Sequence, residues 1–181
     1  LGDIARQERL RLNMKVVAVT GSVGKSTTKE MIACVLDGTY RVGKTPANHN
    51  NDIGMPMALL SMPEDTEVAV LEMGMNHFRE IAYLSCIAHP DVAVIINIGT
   101  MHIEYLGTQL GIRQAKLEVL EGMTPQGMLL LNGDDTLLRC LDMTPKQRIT
   151  YFGCSEGCDV RAQDVSQADS ILRFRVEAGR L

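Results

Sequence analysis

The sequence predicts an α/β fold: a mostly parallel sheet flanked by helices, with a small antiparallel appendix at its C-terminal end. Three observations support this prediction. Apolar, β-branched runs alternate with stretches of helical periodicity as far as residue 146. A glycine-rich loop joins the first of these runs to the first helical stretch, and beyond residue 146 short strands follow one another without helices. Alternating strands and helices are typical of a parallel sheet that is covered on both faces.

The first elements have the clearest signals. Residues 1–14 form a short amphipathic segment, which we interpret as the remnant of a linker from an absent N-terminal domain. Residues 15–20 read Lys-Val-Val-Ala-Val-Thr, the pattern of a buried strand. From residue 26 to residue 36 apolar side chains recur at helical spacing, and Gly38 supplies a stop signal. The order is therefore strand, loop and helix.

The same alternation defines a predicted core over residues 15–146. Its further strands are predicted at residues 67–73, 91–98 and 127–132, and its helices at residues 53–60, 80–88, 109–121 and 134–141. Residues 147–181, the appendix, are predicted to hold antiparallel strands at residues 148–152, 159–165 and 171–176. In parallel sheets ligands bind beyond the carboxyl ends of the strands, so polar residues that follow the core strands are the candidates for chemistry.

Composition excludes some classes of function. With 45% hydrophobic residues, 22% charged residues and a formal charge of −4, the chain has no basic stripe of the kind that nucleic-acid binders carry. No apolar run approaches the ~18 residues that a membrane helix needs. We therefore expect a cytoplasmic protein, with no nucleic acid as partner and no membrane insertion. The sequence does not fix the oligomeric state, for which a monomer is favoured. Of the five cysteines, Cys34, Cys86 and Cys140 fall in apolar helical patterns, which predicts that they are buried.

The loop after the first strand carries the strongest functional signal. It reads Gly21-Ser22-Val23-Gly24-Lys25-Ser26-Thr27. Its glycines allow backbone N–H groups to face phosphates, Lys25 adds a positive charge, and the Ser26 hydroxyl can reach a magnesium ion. The start of the following helix adds its positive dipole end. Although the spacing is one residue shorter than the usual motif, the strand before it and the helix after it predict a P-loop that binds ATP with Mg²⁺. The sequence contains no Asn-Lys-x-Asp element, which argues against a regulatory GTPase.

Four other residues are candidates on weaker grounds. Glu72 closes a buried strand, which favours a magnesium ligand over a solvated acid. Asn132 also ends a strand and either reads an adenine edge or serves the turn that follows. By pattern alone, His102 is expected to be a structural hydrogen-bonding residue and Lys116 an ordinary surface lysine.

The loop, its continuation Thr-Lys-Glu-Met and five further segments resemble the Mur ligases. The further segments are Asn-His-Asn-Asn-Asp-Ile-Gly-Met-Pro at residues 48–56, Leu-Glu-Met-Gly-Met-Asn-His at 71–77, His-Ile-Glu at 102–104, Ala-Lys-Leu-Glu at 115–118 and Asn-Gly-Asp-Asp at 132–135. The likeness is greatest to those family members that join D-alanyl-D-alanine to UDP-N-acetylmuramoyl-tripeptide. Arg79, Tyr105 and Leu117 depart from it, because the family frequently has glycine at these positions.

The resemblance gives several residues a role. It implies that Ser26 and Glu72 bind one Mg²⁺, that His102 binds a second, and that Lys116 is carbamylated by carbon dioxide. The catalytic residues would then be Lys25, His102 and Lys116. The resemblance also implies that Asn132 lies near the adenine. The segment at residues 48–56 would bring Asn50 and Asn51 toward the substrate.

The resemblance further implies an ATP-dependent amide ligase of peptidoglycan precursor synthesis. The γ-phosphate of ATP would activate the tripeptide carboxylate as an acyl phosphate, which the amine of D-alanyl-D-alanine attacks. Family members have three domains, and this chain would be the central ATP-binding one, with the C-terminal domain absent and no turnover expected from the chain alone. Two alternatives stay open: another ligase of the superfamily, such as a folylpolyglutamate or cyanophycin synthetase, and a nucleotide-binding module without turnover.

Overall fold

A computed structural model describes residues 1–141 and 143–179. In chain order the elements are α1 (Gly2–Leu12), β1 (Lys15–Thr20), α2 (Lys25–Asp37), β2 (Val42–Lys44), α3 (Gly54–Leu60), β3 (Val68–Glu72), α4 (Glu80–Ala88), β4 (Val92–Ile95), α5 (Ile103–Leu106), α6 (Gln109–Leu117), a 3₁₀ turn (Glu118–Glu121), β5 (Met128–Asn132), α7 (Thr136–Arg139), β6 (Arg148–Gly153), β7 (Val160–Ala168) and β8 (Ile171–Ala178). The eight strands found in these residues form one sheet in the order β2-β3-β1-β4-β5-β6-β7-β8.

The sheet is parallel from β2 to β7, and only β7 and β8 pair in antiparallel fashion. The predicted fold class, a mostly parallel sheet with a small antiparallel end, is confirmed. The expectation that residues 148–152 belong to the antiparallel part is wrong, because β6 runs parallel to β5 from Met128↔Arg148 to Asn132↔Phe152. The connection that contains α7 allows this crossover; the helix predicted at residues 134–141 is present but only four residues long.

Strand alternation divides the apolar residues between two layers. Val16 and Ala18 of β1 point into a large core shared with α1, α3, α4 and α6. Val19 points the other way, into a smaller core with Ala33 of α2. Because β1 and β3 are buried on both faces, their residues are apolar almost without interruption. The carboxyl ends of these strands are therefore held firmly by packing from two sides.

Residues 1–14, predicted as a linker remnant, form helix α1, which packs against α3 and α4. The boundaries at residues 14 and 146 stay predictions, and residues 180 and 181 of the predicted appendix lie outside the described residues. Two short elements that the sequence pattern did not indicate are β2 and α5, and the 11-residue helix α1 was described only as an amphipathic segment. No helix in residues 1–141 or 143–179 is long and apolar enough to cross a membrane.

The cysteine prediction is wrong, because Cys34, Cys86 and Cys140 are all exposed. Helix α2 shows the reason. Only part of its apolar stripe is buried: Ile32 and Leu36 pack against the smaller core, whereas Met31 and Val35 are 65% and 78% exposed. The side that packs on the sheet carries Ala33 and, unexpectedly, a lysine.

Candidate active site

The glycine-rich loop connects the end of β1 to the start of α2. Gly24 precedes the first helical residue and has φ 83°, a left-handed conformation that favours glycine. No side chain caps the helix, so the N–H groups of Lys25, Ser26 and Thr27 have no partner within the first helical turn. Unpaired N–H groups at a helix N-terminus, with the positive end of the helix dipole, form an anion-binding site.

Asn97 holds the first half of this loop, and the sequence analysis did not identify it. Its Oδ1 accepts hydrogen bonds from the backbone N–H groups of Ser22 and Val23, both at 3.0 Å. Its Nδ2 donates to the Val23 carbonyl at 3.0 Å, and the Ser22 hydroxyl accepts from Gly99 N–H at 2.8 Å. The segment after β4 thus fixes residues 22 and 23, which leaves the N–H groups of the second half for a ligand. An amide side chain between Ile96 and Ile98 was the available sequence signal.

The side chain of Lys25 lies along its own loop. Its Nζ donates to the Gly21 carbonyl at 3.1 Å and to the Ser22 carbonyl at 3.5 Å. Gly21 packs closely against the segment that follows β4, since a Cβ atom at this position would lie 3.1 Å from the Ile96 Cβ. The ammonium group therefore sits over the loop that the helix N-terminus closes, where it adds charge to the anion site.

A buried carboxylate lies next to the start of α2. Glu72, the last residue of β3, is 2% exposed, and its pairing with Val19 sets it beside the end of β1. Its Oε2 accepts from the Ser26 hydroxyl at 2.7 Å, and its Oε1 accepts from Asn50 Nδ2 at 2.8 Å. Gly74 makes room for this contact, because a Cβ atom there would lie 2.9 Å from Asn50 Cγ. The structure thus brings together three of the residues selected from the sequence.

Lys116 is a buried lysine on α6, not the surface lysine that its pattern suggested. The residue is 3% exposed, and its Nζ makes no hydrogen bond or ion pair with residues 1–141 or 143–179. Burial, and after it the positive charge of Lys25, lower the pKa of Lys116 from 10.5 to about 7. A large fraction of the amine is therefore unprotonated near neutral pH, so that it can act as a nucleophile.

The remaining three candidates lie at the same edge of the sheet, and two of them have local partners. His102 precedes α5 with φ 66°, and its ring has no hydrogen bond to the described part of the chain. Asn51 Oδ1 accepts from Gly54 N–H at 2.8 Å at the start of α3. Asn132 Oδ1 accepts from Asp134 N–H at 2.9 Å, so in this structure the Asn132 side chain stabilises the turn that follows β5. Within residues 1–141 and 143–179 no hydrogen bond joins these three side chains to Glu72, whose side-chain partners are Ser26 and Asn50, and their roles in binding stay predictions.

The donor set at the loop fits magnesium that arrives with a nucleotide. Mg²⁺ prefers oxygen ligands, and in nucleotide sites one or two protein ligands are completed by phosphate oxygens and water. The Ser26 hydroxyl and the Glu72 carboxylate are two such oxygen ligands at hydrogen-bonding distance from each other. Over the described ranges, no group of three or more His, Cys, Asp or Glu side chains could hold a metal ion.

Comparison with known proteins gives a consistent result. Residues 19–180 match the model of the Mur ligase middle domain. The chain is 46% identical over 177 residues to UDP-N-acetylmuramoyl-tripeptide--D-alanyl-D-alanine ligase of Bacillus subtilis (strain 168), an alignment that covers 98% of this chain and 38% of that relative.

Solved structures agree in fold over nearly the whole chain. Crystal structure I of MurF from Acinetobacter baumannii superposes with a TM-score of 0.91 at 36% identity, over 98% of this chain and 39% of that one. MurF ligase from Thermotoga maritima, in complex with ADP, gives a TM-score of 0.90 at 34% identity, over 98% and 41% of the two chains. The chain thus spans about two fifths of the length of these relatives. It belongs to the Mur ligase family, and residues 19–180 correspond to the middle domain of that family.

Proposed function

We propose that this chain is the central ATP-binding domain of an ATP-dependent amide ligase of peptidoglycan precursor synthesis. The ligase joins D-alanyl-D-alanine to UDP-N-acetylmuramoyl-tripeptide. The observation that carries the proposal is the pairing of the Ser26 hydroxyl with the buried Glu72 carboxylate at an uncapped helix N-terminus. The choice of substrates is supported by the 46% identity to the Bacillus subtilis ligase, whose name states these two substrates. A cytoplasmic location and the absence of nucleic acid as a partner are part of the proposal.

The loop binds the phosphates of ATP. The N–H groups of Lys25, Ser26 and Thr27 donate to phosphate oxygens, since the helix offers them no other partner. The Lys25 ammonium exchanges its contacts with two loop carbonyls for contacts with the terminal phosphates, where negative charge is greater. Asn132, at the end of β5, contributes to the adenine side.

Ser26 and Glu72 hold one Mg²⁺, and His102 with modified Lys116 holds a second. Bound magnesium supplies neutralisation of the charge on the phosphoryl group during transfer. Glu72 is suited to this role because its two oxygens are already oriented by Ser26 and Asn50 and need not reorganise. Asn50 and Asn51, in the segment that follows β2, face the peptide substrate.

Lys116 acts as a carbamate. The lone pair of its unprotonated Nζ attacks the carbon of carbon dioxide, an N–C bond forms, one C=O π pair moves to oxygen, and an amine proton leaves to solvent. The product is an anion with two oxygen atoms, in place of an amine. The low pKa of Lys116 supports this step, because only the unprotonated amine can react.

A carboxylate oxygen of the tripeptide then attacks the γ-phosphorus of ATP, the bond to the β-phosphate breaks, and ADP leaves. The amine of D-alanyl-D-alanine attacks the acyl carbon, phosphate leaves, and the amine loses a proton to solvent as the amide forms. The phosphate loop that begins at Gly21 would bind ATP equally well in another ligase of the superfamily. The test must therefore identify the carboxylate substrate that accepts the phosphoryl group. A domain that binds nucleotide without turnover is the other alternative.

The test uses the full-length polypeptide that contains this chain. UDP-N-acetylmuramoyl-tripeptide, D-alanyl-D-alanine and Mg-ATP are expected to give ligation product with stoichiometric phosphate. Glu72→Gln is expected to lower turnover by about 100-fold or more, because the substitution removes a charged ligand. Glu67→Gln is the matched control, since Glu67 precedes the opposite end of the same strand and pairs with Arg41 at 3.3 Å. Ligation of glutamate to a folate, or equal activity of the two variants, would contradict the proposal.

A further inference from the structure

Lys29 is a buried lysine that the proposed reaction does not use. It is 1% exposed and lies one helical turn after Ser26 on α2. Its Nζ donates to the Thr45 carbonyl at 2.7 Å and to the Ala47 carbonyl at 3.4 Å, and it pairs with Glu30 Oε1 at 3.2 Å. An ammonium has three N–H donors, so these contacts account for all of them. A buried ammonium group with these contacts holds the backbone segment that supplies the carbonyl acceptors in place, because breaking the contacts would leave the charge uncompensated.

The first of these acceptors belongs to a residue that holds the backbone of Glu72. Thr45 follows β2 and is fully buried. Its hydroxyl accepts a hydrogen bond from the Glu72 N–H at 3.0 Å, and its own N–H donates to the Val70 carbonyl at 3.2 Å. Lys29 thereby anchors the residue that sets the position of the Glu72 backbone.

The same segment also orients the carboxylate of Glu72. Ala47 has φ 40°, an unfavourable conformation for a residue with a Cβ atom, and Lys29 binds its carbonyl. Three residues later Asn50 donates to Glu72 Oε1 at 2.8 Å, and its carbonyl accepts from Gly74 N–H at 2.8 Å. The segment from residue 45 to residue 50 therefore makes hydrogen bonds to both the backbone and the side chain of Glu72.

We propose that Lys29 is a positioning residue for the Glu72 carboxylate. Helix α2 presents the Ser26 hydroxyl from its first turn, while Lys29 on the next turn holds the segment that aims Glu72 at that hydroxyl. Helix α2 thus sets the positions of both proposed magnesium ligands, Ser26 directly and Glu72 through Lys29. The role of Glu72 as a magnesium ligand rests on the proposed function. The positioning of its carboxylate by Lys29 is a property of the chain without any ligand.

The experiment compares Lys29→Met with the unmodified chain by two measurements. Hydrogen exchange of the Glu72 and Gly74 amides reports the position of the carboxylate segment in the absence of ligand. Calorimetric titration with ATP, in EDTA and over a series of Mg²⁺ concentrations, reports the metal dependence. Lys29→Met is expected to raise exchange at both amides by about tenfold and to raise the half-saturating Mg²⁺ concentration by a similar factor. Binding of ATP in EDTA is expected to change less than about twofold, because the phosphate loop keeps its contacts to Asn97.

Arg9→Met is the matched control. Arg9 is 7% exposed, donates to the carbonyls of Ala88 and His89 at 2.8 and 3.2 Å, and pairs with Asp91 at 3.4 Å. It is thus a buried cation of the same kind at the opposite edge of the sheet. Loss of stability is expected in both variants, but only Lys29→Met is expected to change the Mg²⁺ dependence.

Each outcome decides the question. If Lys29→Met has the Mg²⁺ dependence of the unmodified chain, or if Arg9→Met changes it as much, the positioning role is overturned. If the unmodified chain binds ATP without any Mg²⁺ dependence, the proposed function fails, and the exchange of the Glu72 and Gly74 amides alone decides on Lys29. If Lys29→Met does not fold, Lys29→Gln keeps an N–H donor and is expected to cause the same changes at smaller size. Unchanged exchange in a folded Lys29→Gln would overturn the inference.

Discussion

Replacing Lys116 by Met tests the burial of its amine directly. Burial lowers the pKa of Lys116 from 10.5 to about 7 in the folded chain, whereas the unfolded chain keeps the ordinary value. Between these two pH values the unfolded chain binds a proton that the folded chain does not. Stability must therefore rise with pH from about 7 to about 10.5 and be lowest below pH 7, where folding traps the charge.

The size of the effect follows from the gap between the two pKa values. One pKa unit corresponds to about 1.4 kcal/mol, so the gap gives an upper bound of roughly 5 kcal/mol. Local rearrangement and water entry reduce this penalty, and we expect Lys116→Met to raise the free energy of unfolding by about 2–4 kcal/mol near pH 6.5. Near pH 10 the gain should fall to about 1 kcal/mol or less.

Urea unfolding of both chains in buffers freed of carbon dioxide measures this difference across the pH range. Lys15→Met is the matched control, because the Lys15 side chain is 73% exposed, and its curve should stay parallel to that of the unmodified chain. Parallel curves for Lys116→Met and the unmodified chain would refute the assignment of a buried, unprotonated amine.

Three further predictions concern other parts of the site. With ¹³C-labelled bicarbonate, the unmodified chain should give a carbamate signal by nuclear magnetic resonance that strengthens as the pH rises through about 7 and is missing from Lys116→Met; a signal shared by both chains would contradict modification of this lysine. Asn97→Ala removes three hydrogen bonds to the phosphate loop, and at about 1 kcal/mol each it should weaken ATP binding by tenfold or more in calorimetry; unchanged affinity would show that the loop is ordered without Asn97. Glu118→Ala leaves the N–H groups of Arg79 and Ala82 without their carboxylate acceptor and should lower the free energy of unfolding by about 1–3 kcal/mol in urea; a loss below about 0.5 kcal/mol would mean that water replaces the carboxylate.

The sequence predicts those parts of the fold that depend on local pattern. Residues 15–20 are apolar, are followed at once by glycine and precede a helical repeat, so β1, the loop and α2 could all be predicted. Glu72 could be placed at the loop because parallel strands end at one edge, and its contact with Ser26 agrees. Strand pairing is different, since β6 could be predicted as a strand but not as the parallel neighbour of β5.

The contacts that organise the site could not be predicted, because they join residues far apart in the chain. Asn97 reaches residues 22 and 23 across more than 70 positions, and nothing near either segment indicates this contact. Lys29 lies on the same side of α2 as Ile32 and Ala33, but a charged side chain gives no sequence signal of burial. The burial of Lys116 likewise depends on packing of α6, which its local pattern did not reveal.

One departure from the family pattern has a physical explanation. The resemblance implies glycine at the position of Arg79, whose backbone has φ 74°, a region in which glycine carries no Cβ penalty. The backbone N–H of Arg79 donates to both oxygens of Glu118 at 2.8 Å, which holds the conformation despite the side chain. The position therefore constrains the backbone, and the Arg79 side chain pairs with Glu121.

The most direct test of the central claim is calorimetric titration of this chain with ATP and Mg²⁺, beside Lys25→Ala and a GTP control. We predict magnesium-dependent binding of ATP that Lys25→Ala weakens by about 100-fold, since the substitution removes the loop's only ammonium, and weaker binding of GTP. Absence of ATP binding by the folded chain, or equal binding by Lys25→Ala, would contradict the conclusion that residues 21–27 bind the phosphates of ATP.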